Sequence, residues 1–217
     1  PSVERQLEVL GPLTYADHVA PIIYESCTPC HRPGQAAPFS LLRYEDVVKH
    51  RRVIRTLTAE RRMPPWLPAP GVVAFDHDRS LTELELATLQ SWLESGAPEG
   101  DPEQTPEPPR FSNGWALGEP DLVVTMPEAY TLPAEGPDVY RNFVVPIERE
   151  TLAYVTAFDF NPGAWQAVHH AFILFDTTNE SREADRLDLD VGFAGMAESA
   201  IGLDGHFLTW QPGAHPT

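Results

Sequence analysis

The stretch Cys27-Thr28-Pro29-Cys30-His31 holds both cysteines of this 217-residue chain, spaced as C-x-x-C-H. This spacing is typical of haem c attachment, in which each thiol forms a thioether with one vinyl group of the porphyrin. The histidine after the second cysteine can then supply its imidazole as an axial ligand of the iron. The motif therefore predicts one covalently bound haem, with His31 as the proximal ligand.

Two other sites use a C-x-x-C pair: a redox dithiol and half of a zinc site. A zinc site usually needs four soft or borderline ligands, and the sequence has no second cysteine pair. A thioredoxin-like dithiol is expected in a βαβ context, which the sequence around Cys27 does not indicate. Haem attachment also leaves no thiol over, so no disulfide is expected.

Apolar periodicity predicts three helices around the motif, over about Tyr15–Ser26, Tyr44–Arg61 and Leu81–Ser95. Pro21 is expected to bend or loosen the first helix. Ser80 and Glu83 form a capping box for the third, and Gly96 is expected just after its end. Three helices around C-x-x-C-H predict a small all-α cytochrome c domain.

An electron-transfer haem usually has a second axial ligand, for which we select Met63. It follows the second helix and precedes Pro64 and Pro65, which restrict its backbone. A thioether ligand favours Fe(II) and raises the reduction potential. The competing interpretation is that Met63 fills the core. The alternative ligands are Met126 and Met196 in the second half, or a histidine: His18, His50 or His77.

Three further residues are candidates for the wall of the haem pocket: Arg62, Trp66 and Tyr44. Trp66 would cover the haem edge, and a role in the protein core is the alternative for this side chain.

A change of composition marks a domain boundary. Five prolines and almost no large apolar residue lie between Gly96 and Arg110, which predicts a stiff, extended connection. We therefore expect a cytochrome c-like domain over residues 1–100, a Pro/Glu-rich linker over 101–112 and a second domain over 113–217.

The second domain has strand-like alternation instead of helical periodicity. The candidate strands are Asp121–Met126, Asn142–Ile147, Thr151–Phe158, Ala167–Asp176 and Gly205–Trp210. Turn residues separate them, which predicts an antiparallel β-sandwich. The fold class expected for the whole chain is thus α+β and multidomain.

The chain is acidic, with a formal net charge of −17 and 42% hydrophobic residues. This charge argues against nucleic acid as a partner, because nothing would offset phosphate repulsion. No apolar run of about 18 residues predicts a membrane span. The sequence has no signal peptide at Pro1, and haem c is normally attached after export. We therefore expect a mature or trimmed chain in the periplasm or elsewhere outside the cytoplasm.

Positive charge is concentrated in the segment from Arg43 to Arg62, which contains seven of the 15 basic residues. A solvated helix face is the ordinary interpretation of such a run. The alternatives are a docking patch, or cations that face the haem propionates.

Two segments of the second domain suggest a relative. Val168–Phe175, with His169 and His170, resembles the paired-histidine strand of the copper type II, ascorbate-dependent monooxygenases, which include peptidylglycine hydroxylases. Phe207–Gly213 resembles the segment that follows in bacterial relatives. Bacterial members often carry an N-terminal haem c domain with a Met-Pro-Pro-Trp element, as at Met63–Trp66.

The resemblance implies that His169 and His170 bind one copper with a third, later histidine. No element that matches the third ligand is present before Thr217, so a truncated chain is expected; His206 or His215 could substitute. Taken alone, adjacent strand residues point to opposite faces, which favours ordinary histidines. One metal could be shared only if the strand is twisted or bulged there.

The function expected from the sequence is one-electron transfer by a His/Met-ligated cytochrome c, with a protein as redox partner. Its electrons would supply the attached copper monooxygenase-like domain. One alternative is a copper- and oxygen-dependent monooxygenase with a fused haem domain, active only if the missing C-terminal part is supplied. Another is a non-catalytic binding module. The sequence does not indicate an oligomeric state.

Overall fold

The computed structural model describes residues 2–66, 68, 73–75, 78–111, 115–147, 151, 154–196 and 206–214. The chain divides into two units, Pro1–Phe111 and Ser112–Thr217. The described part of the first unit is helical, and that of the second contains small antiparallel sheets and a helix. The chain is therefore α+β. Within the described residues, no helix is long and apolar enough to cross a membrane.

The helices of the first unit are α1 (Val3–Leu10), α2 (Ala20–Ser26), α3 (Tyr44–Ala59) and α4 (Glu83–Glu94), with a π-helical turn at Tyr15–Val19 and a 3₁₀ turn at Pro102–Gln104. The π-helical turn leads directly into α2, so the two together cover the helix predicted over Tyr15–Ser26. Pro21 lies in the first turn of α2, a position where proline is common, at the change from the π-helical turn to the α-helix.

The start of α4 differs from the sequence prediction. The capping box is formed by Thr82 and Glu85: the Thr82 hydroxyl accepts from the Glu85 amide at 3.2 Å, and the Glu85 carboxylate accepts from the Thr82 amide at 2.8 Å. Glu83 instead forms an ion pair with Arg61. Gly96 follows the end of α4 with φ of 98°, a conformation that favours glycine.

One apolar core holds these helices together. Its buried members are Tyr15, Val19, Ala20, Ile22, Ile23, Leu41, Val47, Ile54, Leu81, Leu89, Trp92, Leu93 and Ala97. The fully buried Trp92 donates its indole N–H to the Pro98 carbonyl at 2.9 Å. The same carbonyl accepts from the Tyr15 amide at 2.9 Å, so the chain after α4 is bonded to the π-helical turn before α2.

The second unit contains β1 (Arg141–Asn142), β2 (Ala171–Leu174), α5 (Glu180–Leu187), β3 (Phe193–Ala194) and β4 (His206–Trp210). The described strands form two antiparallel pairs, β1 with β3 and β2 with β4. Parts of three predicted strands are therefore present. Asp121–Met126 and the described residues 154–158 form no strand, because no ladder of backbone hydrogen bonds pairs them.

Arg141 connects the two strands of the first pair with the chain that precedes β3. Its guanidinium donates to Asp188 Oδ1 at 2.9 Å and to the carbonyl oxygens of Val191 and Gly192 at 2.7 and 3.0 Å. The guanidinium also lies 5.2 Å from the ring centroid of Tyr130. One side chain thus satisfies several polar groups of an otherwise short sheet.

Candidate haem-binding site

The C-x-x-C-H motif continues the helical path of α2. The Cys27 amide donates to the Ile23 carbonyl at 2.9 Å, and the His31 amide donates to the Cys27 carbonyl at 2.9 Å. Thr28, between the cysteines, is fully buried and donates its hydroxyl to the Tyr24 carbonyl at 2.6 Å. The two thiols and the imidazole are therefore presented from one compact turn at the carboxyl end of α2.

The imidazole of His31 is held by its Nδ1 atom. This nitrogen lies 3.1 Å from the carbonyl oxygen of Phe39, and the two rings pack with centroids 4.7 Å apart. Donation from Nδ1 to a carbonyl leaves Nε2 as the nitrogen with a free lone pair. Burial lowers the pKa of His31, and the nearby His50 lowers it further, although the hydrogen bond to Phe39 opposes both. A neutral imidazole is the form that binds a metal.

The loop that supplies the Phe39 carbonyl is tied to the motif. The Leu41 amide donates to the His31 carbonyl at 2.9 Å, and the Ala37 amide donates to the Cys30 carbonyl at 3.3 Å. The Phe39 ring stacks on His50 of α3, with centroids 3.9 Å apart and planes 7° from parallel. Phe39 is thus packed against histidines from two elements, a role that its sequence position does not reveal.

Both cysteines are free thiols, partly buried in the described structure. Burial, and to a smaller extent Cys30, raises the pKa of the Cys27 thiol to about 12. Burial also raises the pKa of Cys30, although the positive charges of Arg79 and Arg32 oppose this effect. Burial thus disfavours the thiolate form at both cysteines, whereas a redox-active dithiol depends on a thiolate.

Arg79 connects the motif with the segment that contains Met63. Its guanidinium lies 5.9 Å from the ring centroid of Trp66 and donates to the Pro65 carbonyl at 3.4 Å. The charge of Arg79 also acts on Cys30. Arg79 is therefore a neighbour of both Trp66 and the C-x-x-C-H motif. Sequence reasoning missed Arg79, and no spacing signal relates it to either partner.

Met63 is outside the buried core. Its side chain is 39% exposed and lines a small cavity of about 40 Å³ together with Trp66, Leu81 and Leu86. The Met63 amide donates to the Leu57 carbonyl at 3.1 Å, and the Met63–Pro64 peptide is cis. Met63 therefore does not fill the core, which was the competing interpretation of this residue. Of the alternative histidine ligands, His18 accepts from the Thr14 amide, His50 stacks on Phe39 and His77 lies outside the described residues.

The contacts of Tyr44 and Arg62 are with residues outside the C-x-x-C-H motif. Tyr44 donates its hydroxyl to the Ala97 carbonyl at 2.8 Å and packs against Tyr15, with ring centroids 5.3 Å apart. Arg62 is exposed and lies 3.6 Å from the Glu60 carboxylate. The Tyr44 contacts connect α3 with the chain after α4.

In the second unit, His169 and His170 directly precede β2 and are both exposed. Their ring centroids are 4.2 Å apart, so the two imidazoles lie side by side instead of on opposite faces. Within the described residues, no group of three or more His, Cys, Asp or Glu side chains could hold a metal ion. The side chain of His206, and all of His215, lie outside that part of the chain.

Comparisons with protein-family models, with curated proteins and with solved structures give no match to this chain. Conclusions about function therefore rest on the residues themselves.

Proposed function

We propose that this chain is a c-type cytochrome that transfers single electrons through a haem bound covalently to Cys27 and Cys30. The observation that carries the proposal is the 3.1 Å contact between His31 Nδ1 and the Phe39 carbonyl, which leaves Nε2 available to the iron. Fixing one imidazole nitrogen by a backbone carbonyl orients the ring and sets its tautomer, as is usual for metal-binding histidines.

The donor set fits a haem better than it fits a redox dithiol. Cys27 and Phe39 pack against the apolar core, which provides an apolar surface beside the motif for a flat, hydrophobic macrocycle. The burial that raises the pKa of Cys27 to about 12 opposes thiolate formation, on which dithiol exchange depends. It does not oppose thioethers, which carry no charge and are stable in an apolar environment.

The bound haem supplies a one-electron couple between Fe(II) and Fe(III). His31 would bind the iron through Nε2. Its Nδ1 hydrogen bond to the Phe39 carbonyl and its ring contact with Phe39 restrict rotation of the imidazole and so fix its orientation. Met63 would supply a thioether to the iron, and such a ligand would favour the reduced state. Arg79 lies over the Trp66 ring, 5.9 Å from its centroid, and its positive charge near the motif would favour electron acceptance. Haem attachment implies that the protein is exported, with the periplasm as the proposed location.

Covalent mass and colour test this proposal. The full chain, exported in a host that matures cytochromes c, should gain the mass of one haem and show a reduced spectrum of the haem c type. Cys27→Ser/Cys30→Ser should lack the added mass, while a Ser26→Ala/Ser40→Ala control should keep it. If the chain without substitutions is colourless and has the mass of the bare polypeptide, the proposal is contradicted.

A second function is favoured by one observation in the other unit. Two adjacent histidines can share a metal ion only if their side chains lie on the same side of the chain. The rings of His169 and His170 do so, with centroids 4.2 Å apart. Imidazole is a good ligand for copper. We therefore propose that this unit is a copper monooxygenase-like β-sandwich whose paired histidines bind copper weakly and need a further ligand for catalysis.

Copper titration separates this candidate from ordinary exposed histidines. His169→Ala/His170→Ala should reduce Cu(II) affinity at least tenfold, whereas a His18→Ala control should not change it. Equal affinities for the unmodified protein and the double variant would contradict a copper site at this pair.

A further inference from the structure

The side chain of Arg32, the residue after the proposed iron ligand His31, bonds back onto the C-x-x-C-H turn. Its guanidinium donates to the Pro29 carbonyl at 2.7 Å and to the Thr28 carbonyl at 3.4 Å. These two carbonyls belong to the residues between the cysteines, where the helical path of α2 ends. Carbonyl groups at that end of a helix carry partial negative charge, which a bonded cation offsets.

The ring of Phe111 covers this guanidinium. The Cζ atom of Arg32 lies 3.7 Å from the centroid of the Phe111 ring, which is a close contact between a cation and an aromatic face. Both residues are partly buried. The ring therefore displaces water from the guanidinium and restricts its movement away from the turn.

The chain that follows α4 brings Phe111 to this position. The Ala16 amide donates to the Glu99 carbonyl at 3.0 Å, which fixes one end of the stretch near the start of α2. Phe111, at the other end, is the last residue of the first unit. Four prolines lie between Glu99 and Phe111 and restrict the backbone, so keeping the ring in place costs less conformational entropy.

The positive charge of Arg32 is not offset by an acid. Within the described ranges of the chain, no carboxylate lies within ion-pair distance of its guanidinium. The cover provided by Phe111 also reduces screening of this charge by water. A positive charge beside the iron ligand would favour reduced haem, because Fe(II) carries one positive charge less than Fe(III).

We propose that Arg32 raises the reduction potential of the haem, and that Phe111 is the positioning residue that holds Arg32 at the turn. This inference rests on the proposed cytochrome function and names the residues that tune the same site. The competing interpretation is that the pair only stabilises the turn. In that case substitutions would lower the midpoint of urea unfolding and leave the potential unchanged.

Redox titration of the exported, haem-loaded full chain tests this proposal. Arg32→Gln should lower the ratio of reduced to oxidised haem at a fixed potential about tenfold, which corresponds to about 59 mV for one electron. The matched control Arg5→Gln removes one exposed cation of α1 and should leave the ratio unchanged, because water and salt screen its charge.

Phe111→Leu tests the positioning role without altering the motif or its charge. This variant keeps an apolar side chain but loses the aromatic face, so the ratio of reduced to oxidised haem should fall about threefold. Because Phe111 acts through Arg32, the double variant Arg32→Gln/Phe111→Leu should have the ratio of Arg32→Gln. A further threefold fall in the double variant would overturn the role of Phe111.

The outcomes distinguish this proposal from the cytochrome proposal. If Arg32→Gln contains haem and keeps the ratio of the chain without substitutions, or if Arg5→Gln shows an equal fall, the role of Arg32 is overturned and the cytochrome remains. If Arg32→Gln does not mature, Phe111→Leu decides the matter, and an unchanged ratio overturns the inference. Absence of covalent haem from the chain without substitutions would overturn both proposals.

Discussion

His31 Nδ1 and the carbonyl oxygen of Phe39 are 3.1 Å apart, so the candidate iron ligand is oriented by a residue eight positions further along the chain. The ring of the same phenylalanine stacks on His50, whose Nδ1 lies 2.8 Å from the Asp46 carbonyl. The position of His31 thus depends on α3 through two ring contacts and two hydrogen bonds.

Replacing His50 tests this dependence. His50→Ala removes the stack on Phe39, so we expect the free energy of unfolding to fall by about 0.5–1.5 kcal/mol. The reduction potential should shift by roughly tens of millivolts, because the hydrogen bond from His31 Nδ1 to the Phe39 carbonyl becomes less well fixed. Chemical denaturation and redox titration measure these effects. Lys49→Ala, at the exposed position just before His50, should change neither the stability nor the potential. An unaltered potential in His50→Ala would argue against the coupling.

Removal of the Met63 thioether should change the iron without removing the haem. Met63→Ala is expected to retain covalent haem, lose the spectral signature of methionine ligation and lower the reduction potential by roughly 0.2 V. The reason is that the thioether stabilises Fe(II). Met126→Ala in the other unit serves as the control, and identical spectra for Met63→Ala and the unmodified protein would exclude Met63 as the ligand.

The start of α4 offers a test of which residue caps the helix. Thr82→Ala should lower the free energy of unfolding by about 1 kcal/mol, because the Glu85 amide loses its hydroxyl acceptor. Ser80→Ala should have an effect within about 0.5 kcal/mol, since among the described residues Ser80 bonds only the exposed Asp78 carboxylate, through its amide and its hydroxyl, and does not cap the helix. Thermal unfolding of the two variants is the measurement. A larger loss in Ser80→Ala would restore the capping box expected from the sequence.

Local patterns predicted the helices but not the contacts that join them. Periodic apolar residues located the helix at Tyr44, because α3 buries Val47 and Ile54 on one face. The same reasoning missed α1, since none of its residues from Val3 to Leu10 is buried. The prediction of a capping box at Ser80 was wrong because two hydroxyl residues, Ser80 and Thr82, are each followed three positions later by a glutamate. The sequence alone does not show which of the two begins the helix.

The candidate sites divide in the same way. The cysteine spacing is a local property, so the turn at Cys27 could be recognised from sequence. The Phe39 carbonyl and Arg79 reach the motif only through the folded chain. The side-by-side rings of His169 and His170 depend on where β2 begins; the strand starts at Ala171, so the expected alternation does not apply to the pair.

The ion pair between Arg141 and Asp188 predicts a pH dependence for the second unit. Hydrogen bonding from the Asp190 amide, followed by that from Arg141, holds the pKa of Asp188 below its usual value. Its contribution to stability is therefore complete above the unfolded pKa of about 3.9 and is lost as pH falls through the lower folded pKa. Asp188→Asn should be less stable than the unmodified protein at pH 7, and the difference should shrink below about pH 4. Urea unfolding of both proteins across this range is the measurement, with the exposed Asp138→Asn as control. A difference that stays constant down to pH 2 would show that the carboxylate charge of Asp188 does not stabilise the sheet.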